Sequence, residues 1–161
     1  MQKEETRWSL GLMSGTSMDG IDAALIETDG EIVINELGGI SLDYDPKFKI
    51  LLKIAEEAIR KNSGNLSDIS LDTVIKRSTQ LHIEAIKQLL EKTHYSFKQI
   101  DVVGYHGQTL FHKPANKITI QVGDGQLLAD QTNLTVVNDF RSRDVLAGGQ
   151  GAPLAPLYHH A

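Results

Sequence analysis

The spacing of apolar positions changes along the chain, and the change divides it into elements. Apolar runs from Trp8 to Met13 and from Ile21 to Thr28 predict two strands joined by small polar residues. Asp29-Gly30 predicts a turn of the Asp-Gly type. Glu31 to Leu42 predicts a third strand, with Gly38-Gly39 marking a bulge. The chain therefore opens with a three-stranded β-meander. The period then lengthens. Phe48, Leu51, Leu52, Ala55, Ala58 and Ile59 recur at helical spacing behind Asp45-Pro46, an N-cap followed by proline at the first helical position. Ser63-Gly64-Asn65 should end that helix near Asn62. A second, longer helix is predicted with Ser67 as its cap, through Leu71, Val74, Ile75, Leu81, Ala85, Ile86, Leu89 and Leu90, to about Thr93. The two helices are expected side by side on one sheet face.

Ile100 to Gly104 predicts a short buried strand ending in Tyr105-His-Gly-Gln-Thr109. Thr109 to His112 and Ile118 to Val122 predict a hairpin around Lys113-Pro-Ala-Asn116. Gly123-Asp-Gly125 reads as a turn, Gln126 to Gln131 as a short helix, and Leu134 to Val137 as a strand ending in Asn138-Asp-Phe-Arg141. Ala147-Gly-Gly-Gln-Gly-Ala-Pro-Leu154 reads as a glycine-rich loop entering a last helix, barely begun at Ala161. The order is β-β-β-α-α-β, a hairpin, then α-β-α. That is an α/β domain: a mixed sheet with helices packed on it. Polar residues gather after Met13, Tyr105, Val122 and Val137, at strand ends, where α/β sheets bind their ligands.

Composition narrows the classes. Of 161 residues, 40% are hydrophobic and 23% charged, which fits a soluble globular domain. The net charge of −5 argues against non-specific nucleic-acid binding, and an anionic substrate would need local cations or a metal. There is no cysteine, hence no disulfide, no thiolate catalysis and no cysteine-ligated zinc, and a reducing cytoplasm fits. Met1 to Arg7 lacks the apolar run of a signal peptide, and no apolar segment is long enough to span a membrane.

The densest chemistry lies in Gly11-Leu-Met-Ser-Gly-Thr-Ser-Met-Asp-Gly-Ile-Asp22. Two glycines, three hydroxyl-bearing residues and two carboxylates fall within the nine positions from Ser14 to Asp22. Gly15 and Gly20 permit close backbone approach, and the turn's amides can form an anion-binding concavity. Ser14, Thr16 and Ser17 offer hydroxyls, while Asp19 and Asp22 can hold a hard cation. The same residues also suit an ordinary tight turn. Two features favour a site: Met18 among polar neighbours, and a carboxylate, Asp22, inside an apolar strand. Burying Asp22 unpaired would cost roughly 2 kcal/mol or more.

Other motifs are weaker alone. The Walker loop is absent, and Gly123-x-Gly125-x-x-Leu128 fails as a dinucleotide fingerprint. His82-Ile-Glu84 resembles the start of a zinc-deaminase motif, but the later cysteines are missing, so His82 reads as structural or solvent-facing. His106 and Gln108 suit either a satisfied loop or a cleft where they orient hydroxyls or an amide. Asp139, Arg141 and Asp144 suit either a surface ion-pair cluster or a set in which Asp139 accepts from substrate, Arg141 forks onto an anion and Asp144 orients an arginine. Gly148-Gly-Gln-Gly151 is a helix-entry loop or an anion site.

Together these segments resemble the anhydro-N-acetylmuramic acid kinase family. Gly11 to Asp22, His106-Gly-Gln-Thr109, Thr119-Ile-Gln-Val-Gly-Asp124, Val137-Asn-Asp-Phe-Arg-x-Arg-Asp144 and Ala147 to Leu154 follow that family's order, and Tyr158-His-His160 also matches. Asn138 and Ser142 depart from its usual residues. The resemblance implies one ribonuclease-H-like lobe of the actin, sugar-kinase and heat-shock-chaperone ATPase superfamily. It implies ATP and Mg²⁺ as cofactors, and phosphorylation of O6 of 1,6-anhydro-N-acetylmuramic acid as water opens the anhydro bridge, in cell-wall recycling. Gly15, Thr16, Ser17, Met18, Asp19, Gly20, Ile21 and Asp22 would form the ATP phosphate loop, with Asp19 or Asp22 placing Mg²⁺. His106, Gln108, Asp139, Arg141 and Asp144 would face the sugar.

Members of the family are longer. Their catalytic base lies in an Asp-Thr-Gly-Pro-Gly-Asn segment that this sequence does not contain, so the resemblance puts the base, with the adenosine pocket, beyond Ala161. The expectation is a single N-terminal lobe over residues 1–161, inactive by itself and self-associating through Ala152 to Tyr158. The alternatives are a non-enzymatic sugar- or phosphate-binding lobe, half of a split enzyme, or a ribonuclease-H-like nuclease.

Overall fold

The computed structural model describes residues 5–152. The elements are β1 (Arg7–Ser14), β2 (Gly20–Thr28), β3 (Ile34–Asp43), α1 (Pro46–Lys61), α2 (Asp72–Thr93), β4 (Val102–Lys113), β5 (Ile118–Val122), α3 (Gly125–Thr132), β6 (Val136–Asn138) and α4 (Ser142–Leu146). Strand order is β3-β2-β1-β4-β5, with β6 also on β4. The first three strands form the expected antiparallel meander. β4 runs parallel to β1 and β6 and antiparallel to β5. This is a ribonuclease-H-like lobe: a meander extended by helix-linked strands.

Alternation decides which face is covered. Leu10, Leu12, Ile21, Ala23 and Leu25 point into one core together with Phe48, Leu52 and Ile59 of α1 and Ile83, Ile86 and Leu89 of α2. Both long helices thus bury their apolar stripes on one sheet face, as their periodicity requires. The intervening residues Gly11, Met13, Asp22, Ala24, Gly39 and Ser41 are exposed on the opposite face. No helix among the described residues is long and apolar enough to cross a membrane.

α1 forms as its sequence dictates. Pro46 sits in the first turn, and the Asp45 carboxylate accepts from the Phe48 amide at 3.0 Å. α2 does not. It begins at Asp72, and Ser67 does not cap it. The Ser67 amide instead donates to Asn65 Oδ1 at 2.9 Å, a local side-chain turn that competes with helix. The third strand also starts later than expected, at Ile34. The Asp29 carboxylate accepts from the amides of Glu31, Ile32 and Val33 at 2.9, 3.0 and 2.9 Å, which withdraws them from the ladder. The expected bulge is present: Leu25 pairs with Gly38 and Ile26 with Glu36, which leaves Leu37 as the extra residue.

The largest difference lies in β4. Tyr105 to Thr109 is not a loop after a short strand; it lies within one twelve-residue strand. Leu12 pairs with Tyr105 but Ser14 with Gln108, so β4 carries an extra residue at His106-Gly107. Gly107 takes φ +72°, where a Cβ would sit 2.9 Å from the Val122 carbonyl oxygen. The bulge turns the strand from its partners β1 and β6 towards β5. The short helix α4 precedes the glycine-rich loop. Three expectations lie outside the described residues: the helix after that loop, self-association through most of Ala152 to Tyr158, and the placing of the catalytic base beyond Ala161.

Candidate functional site

The β1–β2 hairpin closes on itself through the Met18 amide, which donates to the Gly15 carbonyl at 3.2 Å. Met18 adopts φ +57°, unusual for a residue with a side chain, and its side chain is buried. It anchors the turn to the core, as does buried Ile21. Thr16, Ser17 and Asp19 are exposed at the tip. Of the expected phosphate-loop residues, Met18 and Ile21 can therefore contribute only backbone, while Thr16, Ser17 and Asp19 can contribute side chains. Asp22 corrects its expectation: it is not buried in the strand. It stands on the open sheet face and accepts from Ser41 Oγ at 2.5 Å, so no desolvation cost arises.

Ser14 is committed elsewhere. Its buried hydroxyl donates to the Gly107 carbonyl at 3.0 Å and lies 3.2 Å from His82 Nε2. His82 is structural, the first of its two readings, and not solvent-facing. It is fully buried, and its Nδ1 donates to the Ser78 carbonyl at 2.7 Å. Burial pushes its pKa down to about 4, opposed by the Ser78 carbonyl. The ring is therefore neutral, with its proton on Nδ1. The Tyr44 hydroxyl leans on Ser14 without completing a hydrogen bond, and burial raises its pKa to about 12.

Gln108, expected at the sugar pocket, is fully buried beneath the hairpin. Its Nε2 donates to the Gly15 carbonyl at 2.6 Å and the Thr109 carbonyl at 3.0 Å. The bulge explains the difference: one inserted residue moves the following side chain to the other face of the strand.

Of the other four expected residues, His106 lies at the β4 bulge, and Asp139, Arg141 and Asp144 follow the carboxyl end of β6. A cavity of about 340 Å³ is lined by His106, Thr119, Gln121, Asn138, Asp139 and Ser142, among others. His106 Nδ1 donates to the Gly107 carbonyl at 2.7 Å, and its Nε2 accepts from Arg141 Nε at 2.8 Å. Burial lowers its pKa; the Gly107 carbonyl opposes this and the Arg141 charge adds to it. His106 is thus an oriented neutral ring with both nitrogens engaged. Asp139, exposed and at φ +55°, accepts from the Ser142 amide at 3.3 Å. Arg141 and Asp144 grip the glycine-rich loop: Arg141 Nη1 donates to the Gly151 carbonyl at 2.9 Å, and the Gly151 amide donates to Asp144 Oδ2 at 2.6 Å. The Gly148 and Gly149 amides donate to the Val145 and Asp144 carbonyls, so the loop's amides serve its own fold.

Sequence reasoning missed two partners. His112 Nε2 donates to the Gln150 carbonyl at 3.1 Å, adding a third hold on the same loop. His82 carried a legible signal: it shares the stripe of Ala85, Ile86 and Leu89, the buried face of α2. Among the described residues no three metal-ligating side chains cluster. Asp19 at the hairpin tip and Asp22 on the open sheet face are both exposed, so their carboxylates are accessible to a cation.

The antiparallel meander, extended by helix-linked strands into a six-stranded mixed sheet, is that of an actin-like, ribonuclease-H-like lobe. A family profile described as anhydro-N-acetylmuramic acid kinase matches residues 7–161, and the chain belongs to that family. It is 47% identical over 154 residues to a protein of that name from Azorhizobium caulinodans, covering 95% of this chain and 42% of the relative. Against the one from Agrobacterium fabrum it is 42% identical over 160 residues, covering 98% of this chain and 42% of the relative. Against the one from Brucella suis it is 45% identical over 159 residues, covering 95% and 41%. The chain thus spans about 42% of the length of these curated relatives.

Proposed function

We propose that residues 1–161 form the N-terminal lobe of a cytoplasmic kinase that uses ATP and Mg²⁺ to phosphorylate 1,6-anhydro-N-acetylmuramic acid in peptidoglycan recycling. One observation carries the reading. The phosphate hairpin on β1 and the His106 cavity on β4 are joined directly, through Gln108 to Gly15 and Ser14 to Gly107. A donor phosphate on the hairpin and an acceptor sugar in the cavity would then lie side by side, at the end of β1 and at the β4 bulge, as phosphoryl transfer requires.

In this reading water attacks the anomeric carbon, the bond from that carbon to O6 breaks, and O6 takes the γ-phosphoryl group as ADP leaves. The proton of the attacking water goes to a carboxylate base. His106, with both ring nitrogens engaged, orients the sugar side rather than serving as that base. Exposed Asp139 is assigned to substrate hydroxyls. Arg141 and Asp144 act on the sugar side through the loop they hold. Backbone amides and hydroxyls of Gly15 to Asp19 hold phosphates, and Asp19 and Asp22 would hold Mg²⁺, whose charge offsets that of the transferring group. The base is assigned to an Asp-Thr-Gly-Pro-Gly-Asn segment that these residues do not contain, so the 161-residue chain should bind but not turn over. The test is incubation with ATP, Mg²⁺ and the anhydro sugar, followed by mass spectrometry for N-acetylmuramic acid 6-phosphate. The chain alone should give none, and supplying the remainder of a relative in trans should give product. Turnover by the chain alone would refute the assignment of the base.

A further inference from the structure

Beneath the hairpin lies a buried polar cluster that phosphate binding does not use. Its protons can be counted. The Ser78 carbonyl can only accept, so His82 carries its proton on Nδ1. His82 Nε2 is then an acceptor, and so is the Gly107 carbonyl. Both face the Ser14 hydroxyl, at 3.2 and 3.0 Å, and that hydroxyl has a single proton. Ser14 thus shares its one proton between an acceptor on α2 and an acceptor at the β4 bulge, a three-centred contact rather than two full hydrogen bonds. The neighbouring residues of the two strands are tied by a second bond, from Gln108 Nε2 to the Gly15 carbonyl at 2.6 Å. The two bonds run in opposite directions: β1 donates to β4 at Ser14, and β4 donates to β1 at Gln108. They sit where the bulge breaks the regular β1–β4 register. The ladder is interrupted there, so these side chains fix how far the hairpin stands from the bulge. The same Gly107 carbonyl accepts from His106 Nδ1 at 2.7 Å.

We propose that Ser14, His82 and Gln108 form a buried latch that sets the phosphate hairpin in register with the His106 side of the cavity, so that they are positioning residues for phosphoryl transfer and touch neither substrate. The positioning role rests on reading the hairpin as the phosphate site. The latch itself rests only on the geometry above. Ser14 and Gln108 each bridge the two strands, while His82 braces Ser14 from the helix. Gly107 is the shared node: it accepts from Ser14 on the hairpin side and from His106 on the cavity side.

Amide hydrogen exchange followed by NMR tests the latch in the 161-residue chain. Ser14→Ala and His82→Leu should each speed exchange at Gly15 to Asp19 and at Gly107 to Thr109 by about tenfold relative to α1, because a local opening becomes easier while the helix is untouched. His82→Gln, which keeps an acceptor facing Ser14, should recover most of the protection. Because His82→Leu disturbs the core, Ser14→Ala must give the same pattern from the other end. A uniform rise across the chain, or no change at either segment, would overturn the latch. A second measurement reads positioning. Mg·ATP titrated into the unaltered chain should shift the His106 ring resonances, and Ser14→Ala should abolish that shift while leaving the shifts at the hairpin tip. Retention of the His106 shift in Ser14→Ala would overturn the positioning role. If Mg·ATP shifts nothing in the unaltered chain, the phosphate-site reading fails and the positioning role with it, and the exchange pattern alone decides the latch.

Discussion

Acidification should destabilise the fold through His82. The folded ring titrates at about 4, against 6.5 for an unperturbed histidine, chiefly because burial disfavours the charged form. Between those values the unfolded chain binds a proton that the folded chain refuses. Stability is therefore complete above 6.5 and falls as the pH drops towards 4. Each pH unit between the two values corresponds to about 1.4 kcal/mol, so the whole window is worth about 3 kcal/mol, of which about 2 kcal/mol is lost between roughly pH 7 and pH 5. The environment supports the sign: His82 packs against Ser14, Ser78 and Tyr105, and His106 adds to the depression. Urea unfolding at the two pH values measures the loss. His82→Gln should lose about 2 kcal/mol less than the parent over the same interval. His106 shifts in the same direction and the carboxylates are common to both proteins, so their contributions cancel in the comparison. An equal pH dependence in parent and variant would show that His82 is not buried as a neutral ring.

Three further outcomes follow from local geometry. Asp45→Ala removes the α1 cap and should cost about 1 kcal/mol in urea unfolding, with Asp45→Ser recovering most of it. Gly107→Ala places a Cβ 2.9 Å from the Val122 carbonyl oxygen at φ +72°, and should cost more than about 1 kcal/mol while perturbing the β5 resonances. Arg141→Leu removes a charge that holds the His106 pKa down, so His106 should titrate higher by NMR; an unchanged or lower value would contradict the Arg141 contact.

Much of this architecture was legible because its signals are local. The Asp45-Pro46 start of α1, its end at Asn62 and the meander depend on residues close in sequence, and they form where expected apart from the later start of β3 at Ile34. The hairpin was legible as a motif, since its glycines, hydroxyls and carboxylates adjoin. The orientation of particular side chains was not. Alternation along β4 fails at His106-Gly107, where the register shifts against β1, a strand more than 90 residues earlier. Gln108 therefore faces the core rather than the cavity. Asp22 misled for a related reason: it sits in an apolar strand, but on the open face. Ser67 is a good cap by type, yet its segment is held in a local turn by Asn65 and the helix begins only at Asp72. His82 could be placed on the buried stripe, but its partner Ser14 lies 68 residues away.

The hairpin's role is tested most directly by mapping Mg·ATP onto the chain by amide chemical shifts, in the parent and in an Asp19→Asn, Asp22→Asn double variant. The expected shifts centre on Gly15 to Asp22 and weaken sharply, by about tenfold or more in affinity, when the carboxylates are neutralised, because the magnesium that screens the phosphates loses its protein ligands. Shifts centred elsewhere, or unchanged in the double variant, would contradict the assignment of this hairpin as the phosphate and magnesium site.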